Sequence, residues 1–212
     1  MATRTSLRSV VRLAALAAVV AAIAPSSANA GLLDGVLSTE DAAACDPNAS
    51  QVFKNWGDNA YYTLVEGGSF EGTNSWTLKN GAKVVSGNEP FYVRSTSDTR
   101  SLALPEGSSA LTPTVCFEFA DWHGRLFARK TSKDSGYIKV EVVVRSLVGG
   151  VLAVVDGGTL KPNGEWQPSE RVGLLTCNIT SLVGTDAVAF RFKSVGASFR
   201  IDDFYLHPWK SS

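Results

Sequence analysis

The stretch YIKVEVVVRS, residues 137–146, restricts this chain to sheet structure more firmly than any other part of it. Ile138, Val140, Val142 and Val144 fall on one side; Lys139, Glu141 and Arg145 fall on the other, with Val143 the exception. A period of two is the mark of a strand covered on one face, whereas a helix would need a stripe with period 3.6. DAVAFRFKSV repeats the pattern, with Val188, Phe190 and Phe192 inward and Arg191 and Lys193 outward, and Leu126 and Ala128 share a face in RLFARK. One-sided alternation suits antiparallel sheets. SLALPEG and VLAVVDGG add apolar runs bounded by Pro or Gly, and Gly149-Gly150 and Gly157-Gly158 read as hairpin turns on either side of VLAVVD. Roughly ten such strands predict an all-β, two-sheet antiparallel sandwich or a barrel.

The first 30 residues belong to a different pattern. Arg4, Arg8 and Arg12 precede an apolar run from Leu13 to Ala24, Pro25 ends it, and Ala28-Asn29-Ala30 supplies small residues for a peptidase. This is the pattern of a secretory signal over 1–30, too short for a membrane span of about 20 residues. Residues 31–65 read as an irregular N-terminal segment with an edge strand, and 66–209 as the β domain. The expected product is secreted, either extracellular or associated with the cell envelope, and monomeric. Outside the cytoplasm thiols tend to oxidise. Of Cys45, Cys116 and Cys177, the expected pair is Cys45–Cys116, pinning the N-terminal segment to the outside of a sheet, with Cys177 a buried thiol. Lysine plus arginine equals aspartate plus glutamate at 20 each. A neutral chain with no basic run beyond its first dozen residues argues against a nucleic-acid partner.

SFRIDDFYLHP, residues 198–208, breaks the alternation. Phe199 and Ile201 share one parity, Phe204 and Leu206 the other. An extra residue at Asp202–Asp203 would restore a common face, so a bulge is predicted there, turning a carboxylate away from solvent. A buried carboxylate needs a partner or a metal. Glu71, in GGSFEGTNSW, is a second acidic landmark that would meet Asp202 if the first and last strands of the domain are neighbours. Pairing with Arg200 or Arg191, or capping of a loop, would satisfy the same acids.

GGSFEGTNSWTL, GRLFARKTS, NGEWQPSERV and SFRIDDFYL, in that order, resemble the carbohydrate-binding jelly-roll modules attached to bacterial cellulases and xylanases. SGNEPFYV and SLALP also resemble a set of uncharacterised secreted bacterial proteins to which no activity is attached. The first resemblance implies a galactose-binding-like jelly roll with a structural calcium near its first and last strands, held here by Glu71, Asp202 and Asp203. It also implies a polysaccharide or other cell-envelope polymer as partner, and framework tryptophans in the core at Trp76 and Trp166.

Catalytic patterns are poorly represented. Neighbouring Asp202 and Asp203 on a regular strand would face opposite ways, unlike the paired carboxylates of a glycosidase. The chain lacks the Glu-x-Asp-x-x-Glu strand of jelly-roll glucanases; Glu118 and Asp121, with His123 nearby, come closest. The expectation is therefore a non-catalytic binding module. A structural or adhesive sandwich with a protein partner stands second, and a glycoside hydrolase third. A sugar surface needs a flat aromatic with fixed donors and acceptors. Tyr92 and Arg94 in NEPFYVRS, Trp122 in FADWHGR, and Arg125 and Arg129 on the next strand are the candidates. Arg125, Phe127 and Arg129 share a face. It is either a cationic groove with an aromatic floor or, with Phe127 buried, the second layer of a sheet covered on both sides.

Overall fold

Thirteen strands, all paired antiparallel, build two sheets in the computed structural model, which describes residues 49–116, 123–146, 150–173 and 185–207. The signal pattern over 1–30, Cys45, Cys177, Glu118, Asp121, Trp122 and Trp209 lie outside the described residues, as does the side chain of Cys116. The first sheet has the order β10 (Gln167–Pro168), β7 (His123–Lys130), β13 (Phe199–His207), β4 (Arg100–Leu104), β3 (Lys83–Ser86). Two short strands join it: β1 (Thr63–Leu64) on β13 and β11 (Val172–Gly173) on β7. The second sheet has the order β2 (Thr77–Lys79), β5 (Ser109–Leu111), β12 (Thr185–Val195), β8 (Tyr137–Ser146), β9 (Val151–Leu160), with β6 (Val115–Cys116) on β12. The chain passes from one sheet to the other repeatedly, as in a jelly roll.

Alternation places the core where the sequence predicts it. Leu102, Leu126, Ile201 and Phe204 of the first sheet meet Val140, Val142, Phe190 and Phe192 of the second, all fully buried. Burying each such side chain stabilises the fold by roughly 1.5–3 kcal/mol. Trp76 closes one end: it stacks on Phe192 at 5.8 Å between centroids and donates its indole N–H to the Glu66 carbonyl at 2.9 Å.

A second, smaller layer covers the outer face of the first sheet. Phe53 and Tyr62 pack on Phe127 and Tyr205, with Trp56, Val93 and Trp166 at the margin. The strap that carries Phe53 is closed by reciprocal backbone hydrogen bonds between Ser50 and Tyr62, both 2.9 Å. Its one helical turn, Lys54–Trp56, ends at Gly57 with φ 80°, a left-handed position suited to glycine. Sequence patterning on β7 is thus two-sided. Leu126 and Ala128 face the main core, and Phe127 faces the strap.

Two expectations are corrected. Trp166 is half-buried against the strap layer and not in the main core. Gly157-Gly158 is no turn: both residues lie inside β9, where the pairing with β8 slips between Val140 and Glu141. A Cβ at Gly157 would stand 3.2 Å from side-chain carbons of Val140 and Val142, so the glycine permits close approach at a bulge.

Candidate functional site: an acidic pocket at a break in the sheet

Strand β13 pairs with β4 over Phe199–Ile201 and with β1 over Tyr205–Leu206. Between these runs neither neighbour is present, and the register against β7 shifts between Asp202 and Tyr205. Asp203 takes up the extra residue at φ 49°, a conformation more accessible to Asp and Asn than to most side chains. The bulge predicted from the sequence is present, and it returns Phe204 to the core after Phe199 and Ile201.

Two loops fill the break. From the first, Val65 donates to the Phe204 carbonyl at 2.9 Å, and the Gly68 carbonyl accepts from Phe204 at 3.3 Å. From the second, residues 87–99, the Glu89 N–H donates to Asp202 Oδ2 at 3.1 Å. The other Asp202 oxygen accepts the Asp203 N–H at 3.0 Å. The Glu89 carboxylate folds the second loop around itself, accepting the N–H groups of Phe91 and, at 2.9 Å, Val93. Asp98 accepts from Arg94 Nε at 2.8 Å and pairs with the same guanidinium through Nη2. Glu71 staples the end of the loop, accepting from Thr99 N at 2.8 Å and Arg100 N at 2.6 Å. Asp203 differs from all of these: its side chain is fully buried and neither carboxylate oxygen has a hydrogen-bond partner.

The pocket is therefore electrostatically tense. Burial, and next the Asp203 charge, pushes the Asp202 carboxyl up to about 9 against the two N–H groups it accepts. Burial, followed by the charges of Glu89 and Asp98, raises Asp203 to about 7, with Arg94 opposing. Burial also raises Glu89, despite its backbone donors. Glu71 and Asp202, expected to meet, are linked among the described residues only through the 87–99 loop: Glu71 holds Thr99 and Arg100 at its end and Asp202 accepts from Glu89 at its start, while the Glu71 charge adds to those that raise Asp203. A hard cation with oxygen preference suits this donor chemistry, and the orphaned Asp203 carboxylate is the group it would relieve. Among the described residues, however, no three Asp, Glu, His or Cys side chains converge on a common point suited to a metal. Asp202 is occupied with backbone donors, and Asp203 is the free carboxylate.

The expected ligand residues fall in two places. Tyr92 and Arg94 belong to the 87–99 loop; Tyr92 is 46% exposed at φ 51°. Arg125 and Arg129 lie on β7. Arg125 does not line an open cationic groove, and the Arg129 Nε is buried without a hydrogen-bond partner. Arg125 donates to Asp58 Oδ2 at 2.8 Å and to the Ser169 carbonyl at 2.8 Å, and its guanidinium sits 4.6 Å from the centre of the Phe53 ring. Arg171 donates to the other Asp58 oxygen at 2.9 Å, and Tyr62 donates to Oδ2 at 2.7 Å. His123, buried, meets the Tyr62 hydroxyl at 2.9 Å. Burial pushes Asp58 up, but hydrogen bonds from Arg171, Tyr62, Ala60 and Arg125 outweigh it and hold the carboxyl well below the usual range. Phe127 is fully buried beneath the strap, so of the two arrangements open to it, the sheet covered on both faces is the one that forms. Asp58, Glu89 and Asp98 were not singled out in the sequence. An i,i+4 spacing of Asp58 with Tyr62 and of Arg94 with Asp98 was the available hint, and nothing local announces the burial of Glu89.

No protein-family model matches the chain, and no curated protein matches it. Among solved structures it is similar to the CBM22-1 xylan-binding domain from Paenibacillus barcinonensis Xyn10C, with 14% identity, 68% of this chain and 93% of that one covered, and a TM-score of 0.47. It is also similar to TmCBM61, solved in complex with β-1,4-galactotriose, at 16% identity, 69% and 98% coverage and TM-score 0.41. A third is the enzymatically active domain of bacteriophage CBA120 tailspike protein 4, at 12% identity, 66% and 20% coverage and TM-score 0.41. Likenesses this distant carry no function across.

Proposed function

We propose that this chain is an exported, non-catalytic module that binds a polysaccharide or another cell-envelope polymer and uses calcium to hold its acidic pocket together. The observation that carries the proposal is the 87–99 loop. Four carboxylates, those of Glu71, Glu89, Asp98 and Asp202, fasten it by hydrogen bonds, yet it turns Phe91 and Tyr92 outward at 43% and 46% exposure. Fixed, exposed aromatic rings suit the C–H faces of sugar rings, because little order is lost on contact. The sequence resemblance to carbohydrate-binding jelly-roll modules supports the same reading. Asp203 would be the principal calcium ligand, with Glu71 in support and backbone carbonyls completing the shell. The cation supplies positive charge where the fold otherwise buries an unpaired carboxylate.

Affinity electrophoresis through gels containing neutral and acidic polysaccharides tests the binding reading. Retardation in at least one gel is expected, and unretarded migration through all of them rejects it. Calorimetric titration with calcium after chelation tests the cation separately. Absence of both heat and a rise in melting temperature rejects it.

A further inference from the structure

Alongside the acidic pocket, the strap and the 87–99 loop enclose a groove of about 600 Å³, bordered by Gln51, Val52, Asn55, Trp56, Phe91 and Val93. That volume falls in the range of small-molecule sites. We propose that this groove is a subsite for a neutral sugar unit, with Trp56 and Phe91 as its apolar walls and Asn55 and Gln51 as its hydroxyl-binding groups. The proposal rests on the polymer-binding reading above and gives it a place and a ligand class.

Three observations carry it. The aromatic walls are rigid: Trp56 meets Phe91 edge to face at 5.0 Å, and both stand on the buried Phe127 ring, at 5.3 Å and 5.5 Å. The polar groups have capacity to spare. The exposed Asn55 amide has no hydrogen-bond partner among the described residues, and Gln51 uses only its Nε2, donated to the Asn59 carbonyl at 2.7 Å. The groove is also uncharged. None of its bordering side chains ionises, and two of the arginines expected to make the region cationic are engaged elsewhere, Arg94 by Asp98 and Arg125 by Asp58. An acidic polymer would meet no cationic side chain among the residues that border the groove, whereas a neutral ring finds apolar faces for its C–H groups and amides for its rim hydroxyls.

The test uses the full mature chain with xylohexaose, cellohexaose, mannohexaose and polygalacturonate as probes, read by intrinsic tryptophan fluorescence and calorimetry. Binding of at least one neutral hexasaccharide is expected. Asn55→Ala and Phe91→Ala should each weaken it by at least about tenfold, the loss of one polar or stacking contact. Asn55 is exposed and unpartnered, so its variant should keep the wild-type melting temperature and carries the test alone if Phe91→Ala, which also loses packing on Trp56 and Phe127, melts early. Trp56→Phe keeps the packing on Phe127 and should abolish the ligand-induced fluorescence change. Binding of polygalacturonate alone, or neutral-sugar affinity unchanged in both alanine variants, overturns the subsite while leaving polymer binding intact. Failure of every probe and every gel overturns both.

Discussion

Asp203→Asn should stabilise this protein at pH 8 in the presence of a chelator, although it alters a fully buried residue. The carboxylate there has no hydrogen-bond partner, and its proton affinity is raised from the ordinary 3.8 to about 7, chiefly by burial. At about 1.4 kcal/mol for each tenfold change in affinity, that gap corresponds to about 4 kcal/mol of destabilisation once the group is ionised. The sign follows from proton linkage. The folded form binds the proton more tightly than the unfolded one, so cation-free stability falls as pH rises from about 4 to about 7 and is level above that for this group. Asp202, raised to about 9 by burial and next by the Asp203 charge, adds slope of the same sign; because the variant also relieves Asp202 of that charge, the difference between the two proteins reports on the coupled pair and keeps the same sign. Asparagine is nearly isosteric, tolerates φ 49° and carries no charge. Urea unfolding followed by tryptophan fluorescence should show wild type and variant alike near pH 4 and the variant ahead by up to about 4 kcal/mol at pH 8. Added calcium should raise the wild-type midpoint and leave the variant's unchanged. A variant less stable than wild type at pH 8 without calcium, or a stability difference that does not change with pH, would refute the reasoning.

Three further outcomes follow from the packing. Asp58→Asn removes the acid that Arg125 and Arg171 share; because Arg171 is half exposed and screened, we expect a loss of about 2–3 kcal/mol in urea unfolding at neutral pH. Since the folded Asp58 carboxyl is held low, its contribution is present above about pH 4 and disappears on further acidification, so the variant's deficit should shrink in acid. Glu71→Ala frees two backbone donors, and hydrogen exchange at the Thr99 and Arg100 amides should quicken by about tenfold or more while exchange in β8 and β12 stays unchanged. In Gly136→Ala the new Cβ would press on the Val195 carbonyl and stand 2.6 Å from the Ala197 nitrogen, both backbone atoms that cannot swing aside, and a loss of about 1–3 kcal/mol in thermal or urea unfolding is expected.

The alternating text of β8 and β12 determined the fold class, because a side-chain period of two leaves a strand only one way to bury Ile138, Val140, Phe190 and Phe192. The phase slip at Asp202–Asp203 was legible for the same reason: parity is a local property, and a bulge is the local device that mends it. What parity cannot say is which loop lies over a strand. That Glu89 would close over Asp202 from a distance of 113 positions, and that Asp58 would meet Arg171 across an equal separation, depends on which loops the sandwich brings to the outer face of β7 and β13. The same holds for Phe127. Its sequence context allowed a groove floor or a buried layer, and only the strap lying across it decided between them. Local sequence dictates backbone period and side-chain chemistry. Charge pairing, burial and the shape of a groove are set by contacts between segments far apart in the chain, and these exist only once the two sheets have closed.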